Sequence, residues 1–146
     1  MNPTFRCACP ITTALDILGD KWMLVLIKQM LFEGKETFKE FMDSSESIAT
    51  NILSNKLKQL ENVGIITKTK RPNNKKTNLY LLTDSGISLT PVLIDLALWS
   101  NEHLKELHPL MSNDVDFESI KKDKVAFAQS IITNYKAKLV ANRLAK

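Results

Sequence analysis

The stretch from Thr37 to Leu82 constrains the chain most, and within it the segment from Ala49 to Asn62 carries the strongest pattern. At about 100° per residue, Ala49, Ile52, Leu53, Leu57, Leu60 and Val63 fall on one arc of a helix. Ser47, Thr50, Asn51, Ser54, Lys58 and Glu61 fall on the opposite arc. The apolar arc must be buried, so this helix is a wall of the core. The polar arc is small, hydrogen-bonding and mostly uncharged. Such side chains can approach base edges in a major groove without blocking entry of the helix. A plain amphipathic helix with a solvated back would carry the same arc, so the segments around it decide between the two.

Gly64 supplies a helix stop. Ile65 to Lys70 then reads as a short strand, Arg71-Pro72-Asn73-Asn74-Lys75-Lys76 as a turn-rich basic tip, and Asn78 to Leu82 as the return strand. On that strand Leu79 and Leu81 share one face, and Tyr80 and Leu82 the other. Between Lys56 and Lys76 stand seven basic residues (Lys56, Lys58, Lys68, Lys70, Arg71, Lys75, Lys76) against one acid, Glu61. This local charge of +6 exceeds the +4 of the whole chain, leaving −2 elsewhere. Concentrated cations displace counterions from phosphates, the sequence-independent part of nucleic-acid binding. A basic loop alone is usually a solvated loop; a basic tip following a polar helix face is more specific.

Upstream, Thr12 or Thr13 is expected to cap a short helix through Leu18, closed by Gly19. Asp20 is expected to cap a second helix, Lys21 to Phe32, terminated at Gly34. Trp22, Val25, Leu26 and Met30 repeat at helical spacing, with Ile27 and Leu31 widening the stripe, so this helix belongs to the core and Trp22 with it. Thr37 caps the next helix, whose apolar face is Phe38, Phe41 and Met42, and Asp43 to Ser47 form the turn. The order is helix, turn, helix, then a two-stranded wing.

Downstream, Thr83 caps a further helix. Pro91 falls inside its apolar pattern (Ile87, Leu93, Ile94, Leu96, Ala97, Leu98), which implies a kink or break near Thr90. Trp99 is expected to pack near its end. Leu107 to Asp116 reads as a loop, and Phe117 to Leu144 as one last helix with Ile120, Phe127, Ile131, Tyr135 and Leu139 in spacing close to seven and four. This helix either packs on its own domain or forms a dimer surface with a second copy, and dimer use is the expectation. The fold class expected is mainly α with a small β-hairpin (α+β): a winged helix-turn-helix with N- and C-terminal dimerisation helices.

A chain of 146 residues with an ordinary apolar fraction, 44%, and charged fraction, 25%, can form a core. No apolar run approaches the roughly 20 residues of a membrane span, and Met1 to Pro10 lacks a signal peptide's apolar region. A cytoplasmic protein without membrane association is expected. Two cysteines argue against a disulfide framework. No Gly-x-Ser-x-Gly, phosphate loop, dinucleotide fingerprint or zinc-protease helix is present, so no enzyme and no cofactor are expected. Asp16 with Lys21, and Glu61 with Lys58, read as helix-surface or cap pairs.

The residues from Cys9 to Trp99 resemble the HxlR-type family of bacterial winged-helix transcription regulators, related in shape to the MarR type. The resemblance rests on Cys9-Pro10, Leu15-Asp16, Leu18-Gly19, Lys21-Trp22, Gly34 and Phe38-Lys39-Glu40. It continues through Ile48-Ala49-Thr50-Asn51-Ile52-Leu53-Ser54, Leu57, Leu60-Glu61 and Gly64-Ile65 to Tyr80, Leu82-Thr83, Gly86, Leu89 and Pro91. Where the family often carries arginine just before the Leu57 position, this chain has Lys56. The resemblance implies a domain over residues 1–106 and a dimerising helical extension over 107–146. It also implies a homodimer that binds double-stranded DNA at a pseudo-palindromic operator; repression is the expected outcome, because a dimer covering promoter DNA blocks polymerase without any further contact. Ser47 to Lys58 would supply the recognition helix. Thr50, Asn51, Ser54 and Asn55 would reach base edges or nearby phosphates, and Lys56 and Lys58 phosphates. Arg71, Asn74, Lys75 and Lys76 at the wing tip would follow the backbone or enter the minor groove.

Cys9 matches a position that resembles a redox-sensing thiol in several members of that family. Such a thiol needs thiolate character and exposure. Cys9 precedes a helix N-terminus and lies near Arg6, and Cys7 is a second thiol two residues away. A pair of inert cysteines in a frayed terminus fits equally well. Cys-x-Cys with His103 or His108 has no recognised metal spacing, and no metal is expected. The alternative function is a winged-helix module that grips a protein through the same helix; such a wing need not be basic.

Overall fold

The computed structural model describes residues 2–112 and 114–144, and for residues 143 and 144 the backbone alone. Met1, Asn113, Ala145 and Lys146 lie outside the described residues, and with them the ends of the expected N-terminal segment and C-terminal extension and one position of the expected 107–116 loop. The chain divides into two compact units that meet at Ile87 and Ser88. This division falls earlier than the 106/107 boundary expected from the sequence.

The first unit begins with α1, Pro10–Leu18, which starts two residues before the threonines expected to cap it. Pro10 occupies the first turn, where a missing N–H costs nothing and a fixed φ favours the helix. Cys9 is the N-cap residue, and the Thr13 hydroxyl donates to the Cys9 carbonyl at 2.9 Å. The Gly19 amide closes the helix on the Leu15 carbonyl at 2.8 Å. No residue of α1 is fully buried.

Helix α2, Met23–Glu33, is the opposite case. Met23, Leu26, Ile27, Met30 and Leu31 are buried, and it forms the middle of the core. It starts at Met23 and not at the expected Lys21, with Trp22 in the N-cap position; Asp20 stands two residues earlier, its Oδ1 accepting from the amides of Trp22 at 2.7 Å and Met23 at 3.0 Å. Gly34 ends it with φ at 68°, a left-handed conformation that favours glycine. Trp22 is half-buried and not a core residue; the Lys21 ammonium lies 5.3 Å from its ring centre.

Thr37 opens α3, Phe38–Met42, with a reciprocal capping box: its hydroxyl accepts from the Glu40 amide at 3.3 Å, and the Glu40 carboxylate accepts from the Thr37 amide at 3.1 Å. Phe41 is fully buried, edge-on to Tyr80 with ring centres 6.2 Å apart. The turn runs to Ser47, whose φ of 57° is left-handed. Helix α4, Thr50–Asn62, then buries Leu53, Leu57 and Leu60. Each contributes roughly 1.5–3 kcal/mol by leaving water.

The hairpin pairs β1, Ile66–Arg71, antiparallel with β2, Asn74–Leu82, from Ile66 opposite Leu82 to Lys70 opposite Asn78. The register then shifts, and Arg71 pairs with Asn74. The tip is therefore tighter than expected, with the return strand starting at Asn74 and the turn itself reduced to Pro72 and Asn73. The Tyr80 amide donates to the Glu36 carbonyl at 2.7 Å, which fastens the wing to the segment entering α3. The Thr83 hydroxyl lies 2.6 Å from the Gly64 carbonyl and 3.0 Å from that of Ile65, and accepts from the Gly86 amide at 3.3 Å. It thus caps α5, Asp84–Ile87, and closes the base of the hairpin.

The second unit holds α6, Thr90–His103, α7, Phe117–Lys122, and α8, Lys124–Leu144. The break expected near Thr90 lies there, with Pro91 in the first turn of α6. Trp99 does not pack into a core: it is 55% exposed and its ring faces only that of His103, 5.3 Å away, among the described residues. The single helix expected from Phe117 is two. Asp116 caps the first, accepting from the Ser119 amide at 3.1 Å; Asp123 interrupts and caps the second, accepting from the Ala126 amide at 3.0 Å. Helix α8 packs along α6, burying Ala128 and Tyr135, and Lys124 meets Asp95 at 3.0 Å.

Candidate nucleic-acid interface

The candidate interface lies wholly in the first unit and is built on α4. Thr50, Asn51, Ser54, Asn55 and Lys58 are all exposed, on the side away from Leu53, Leu57 and Leu60. Their surface is amide and hydroxyl with one cation. The contacts it makes within the protein are weak: the Thr50 hydroxyl lies 3.7 Å from the Met42 sulfur, and the Asn55 carbonyl oxygen accepts from Gln59 at 3.4 Å. Ser47 is exposed as well, but it belongs to the turn and not to the helix that was expected to begin there.

Two polar clamps hold α4, one from Lys28 and Gln29 of α2 and one from Asp20 in the segment just before that helix. At the turn, Lys28 of α2 is ion-paired with Glu46 and, at 2.6 Å, with Glu33. The buried Gln29 donates from Nε2 to Glu46 Oε1 at 2.9 Å. Partial burial disfavours charge on Lys28, but the Glu33 and Glu46 carboxylates together outweigh it and hold the ammonium above its ordinary pKa. Partial burial likewise pushes Glu46 up, and the donors from Lys28 and Gln29 prevail and hold it below the usual carboxylate range. At the other clamp, Lys56 meets Asp20 Oδ2 at 2.6 Å.

That second contact corrects an expectation. Lys56 was assigned to phosphates, but its side chain is only 18% exposed and its ammonium lies on Asp20. It sits at the flank of α4, beside the buried arc. At about 100° per residue Lys56 falls between Val63 and Ala49, inside the apolar arc, so the pattern does turn it away from the exposed face; its partner Asp20, 36 residues earlier, has no sequence signature. The Glu46 clamp has no sequence signature either. The Thr37 to Glu40 capping box does: threonine followed three residues later by glutamate, ahead of an apolar run.

At the wing, Arg71, Asn74, Lys75 and Lys76 are exposed, with Lys68 and Lys70 exposed further down β1. The Asn74 side chain accepts from the Lys76 amide at 3.1 Å, so it shapes the tip and presents the lysines. The unit thus presents a hydroxyl-and-amide surface with one cation on α4 and a cationic hairpin tip, both exposed.

Cys7 and Cys9 are both exposed free thiols. As a thiol, Cys9 makes no side-chain cap bond. As a thiolate it faces the Thr12 amide and hydroxyl and the Ile11 amide, which hold its pKa below the ordinary thiol value. Arg6, expected to help, is occupied: its Nε lies 2.5 Å from Asp16 Oδ1 and its amide 3.1 Å from Oδ2. Asp16 therefore pairs with Arg6 and not with Lys21. Among the described residues no three histidine, cysteine, aspartate or glutamate side chains cluster to hold a metal, and no helix is long and apolar enough to cross a membrane.

Comparison with known proteins gives a consistent result. The model of the HxlR-like helix-turn-helix matches residues 17–108. The HTH-type transcriptional regulator YvaP of Bacillus subtilis is 32% identical over 95 residues, covering 64% of this chain and 87% of that protein. The HTH-type transcriptional regulator YodB of the same organism is 28% identical over 95 residues, covering 64% and 84%. Its quinone-bound crystal structure superposes with a TM-score of 0.54 at 26% identity, covering 65% of this chain and 99% of that one. The redox regulator HypR in its reduced form superposes with a TM-score of 0.58 at 28% identity, covering 69% and 99%.

Proposed function

The chain belongs to the HxlR-like helix-turn-helix family of transcription regulators, and from that premise we propose that it binds a pseudo-palindromic operator as a homodimer and represses transcription by covering promoter DNA. Thr50, Asn51, Ser54 and Asn55 read base edges, with Ser47 at the mouth of the groove. Lys58, Arg71, Lys75 and Lys76 hold phosphates, and Asn74 sets the wing tip. The observation that carries this reading is the separation on α4: the arc of Leu53, Leu57 and Leu60 is buried while Thr50, Asn51, Ser54 and Lys58 face solvent beside a cationic wing. A helix whose exposed face is hydroxyl and amide enters a groove with little desolvation of charge.

Exposed apolar side chains support the dimer reading. On α1, Ile11 is 73% and Leu15 53% exposed; Val92, Leu96 and Trp99 of α6 and Val125 and Val140 of α8 are exposed too. Apolar surface on helices at both ends of a chain is typical of self-association. Two copies about a two-fold axis present two recognition helices to successive major grooves.

Thiol oxidation at Cys9, with Cys7 as the second thiol, is the control we propose. Exposure, the helix N-terminus and the Thr12 and Ile11 donors support it, and HypR, a similar structure, is a redox regulator. A winged-helix module that grips a protein is the competing reading, and the basic wing disfavours it.

Fluorescence anisotropy on random-sequence duplex across a salt series tests the DNA reading. Replacing Lys75 and Lys76 by glutamine is expected to weaken binding to all sequences alike and to flatten the salt slope by roughly 0.9 per lost phosphate contact. An unchanged slope removes the wing from the interface. Retention on neither duplex nor heparin in dilute buffer favours the protein-binding module.

A further inference from the structure

The recognition helix is held at two points by the buried helix α2 and the segment that leads into it. The Glu46 clamp fixes the turn before α4 to the middle of α2. The Asp20 clamp fixes the centre of α4 to the start of α2. In the second, one carboxylate serves three donors: Oδ1 takes the Trp22 and Met23 amides at 2.7 and 3.0 Å, and Oδ2 takes the Lys56 ammonium at 2.6 Å. The two backbone bonds fix the orientation of the carboxylate, and this in turn fixes where the ammonium rests. Since α2 contains the most buried residues of the unit, it is the rigid reference.

We propose that Asp20 is the positioning residue of the recognition helix, tying Lys56 to the start of α2 and so taking this lysine out of the set that contacts phosphates. The proposal rests on the DNA-binding reading for its functional consequence. The Lys56 side chain is 18% exposed, and that of Asp20 37%. Drawing Lys56 onto a phosphate exchanges one charge-assisted bond for another, leaves Asp20 Oδ2 to water and gives up the fixed geometry of the contact, so the net gain is small. Lysine at this position then serves orientation: it sets the angle at which Asn51 and Ser54 meet a duplex, while Lys58, one turn away from Ser54 on the exposed arc, supplies charge. Arginine is expected to substitute well, because its fork keeps the carboxylate partner.

The test uses the full chain with Asp20→Asn, Lys56→Met and Lys56→Arg. Binding is read by anisotropy on a random-sequence duplex and on the best fragment selected by the wild type, across a salt series. For an anchor, Lys56→Met leaves the salt slope on random duplex unchanged and lowers the preference for the selected fragment several-fold. Asp20→Asn frees a lysine, so its slope steepens, by up to roughly 0.9 per chain, while preference falls as in Lys56→Met. Lys56→Arg restores the preference. The proposal is overturned if Lys56→Met flattens the slope by that amount while Asp20→Asn changes nothing. Amide hydrogen exchange without DNA supplies a second readout: both neutral variants speed exchange along α4, and unchanged exchange in both overturns the anchor. If no variant or wild type binds any duplex, the DNA reading fails, and exchange still decides whether Asp20 anchors the helix.

Discussion

Gly86 is a position where a single added methyl group is expected to cost stability. It lies in the short helix α5, where alanine ordinarily gains about 0.5–1 kcal/mol over glycine. Here a Cβ would stand 2.5 Å from the Ile65 carbonyl oxygen, 2.8 Å from Leu82 Cδ2 and 3.2 Å from Ile65 Cγ2. The carbonyl has no easy retreat, because it accepts from the Thr83 amide at 3.0 Å and stands 3.0 Å from the Thr83 hydroxyl. Overpacking of this kind costs about 1–3 kcal/mol, and each Thr83 bond that loosens costs about 0.5–1.5 more. These terms outweigh the propensity gain, so Gly86→Ala is expected to lose about 1–3 kcal/mol net. In urea unfolding followed by circular dichroism, the midpoint falls while the m-value stays the same. A midpoint equal to or above wild type refutes the reasoning. Because Ile65 and Thr83 close the base of the hairpin, the same variant is expected to bind duplex less tightly at temperatures where it is still folded.

Three further outcomes follow from the geometry. Thr37→Ala removes one half of the capping box and is expected to cost about 1 kcal/mol in thermal unfolding, with Thr37→Ser recovering most of it. The Glu46 clamp makes stability depend on pH: Glu46 has a lowered pKa in the folded chain, so its contribution is full above the ordinary glutamate value and is lost as pH falls through the folded value. Lys28 is raised, so its share is present below the ordinary lysine value and lost only at more alkaline pH. Glu46→Gln is therefore expected to unfold more easily than wild type at neutral pH, with the difference shrinking in acid; an equal gap at both pH values excludes the clamp. Cys9 is expected to react with iodoacetamide faster than Cys7 at neutral pH, and Thr12→Val to slow it; equal rates at both thiols, read by peptide mass, exclude an activated Cys9.

What could be read from sequence was whatever repeats along a helix or announces a turn. The buried arc of α4, the apolar stripe of α2, the caps at Thr37 and Thr83 and the stops at Gly34 and Gly64 all carry local signatures. Helix α1 starts at Pro10, ahead of the threonines that sequence favours as caps, because proline in a first turn is itself a start signal. The break at Asp123 was hidden because the apolar spacing continues across it, and only the Ala126 amide reveals the second cap. The return strand reaches Asn74 because pairing with Arg71 prevails over the weak strand preference of Asn74, Lys75 and Lys76. At the candidate interface, exposure of Asn51, Ser54 and Lys58 followed from periodicity. The engagement of Lys56 by Asp20, of Arg6 by Asp16 and of Glu46 by Lys28 and Gln29 did not, since each joins segments that only the packed fold brings together. Trp99 illustrates the opposite limit: expected to pack near the end of its helix, it is 55% exposed and meets only the His103 ring among the described residues.

If the exposed arc of α4, presented twice by a symmetric pair, reads duplex DNA, the full chain selects bound fragments from a random duplex library. The enriched sequences are expected to carry two related half-sites whose centres lie about one helical turn apart, with an altered preference within each half-site when Asn51 is replaced by alanine. A library that emerges unenriched, or enriched sequences that Asn51→Ala leaves unchanged, would contradict that reading.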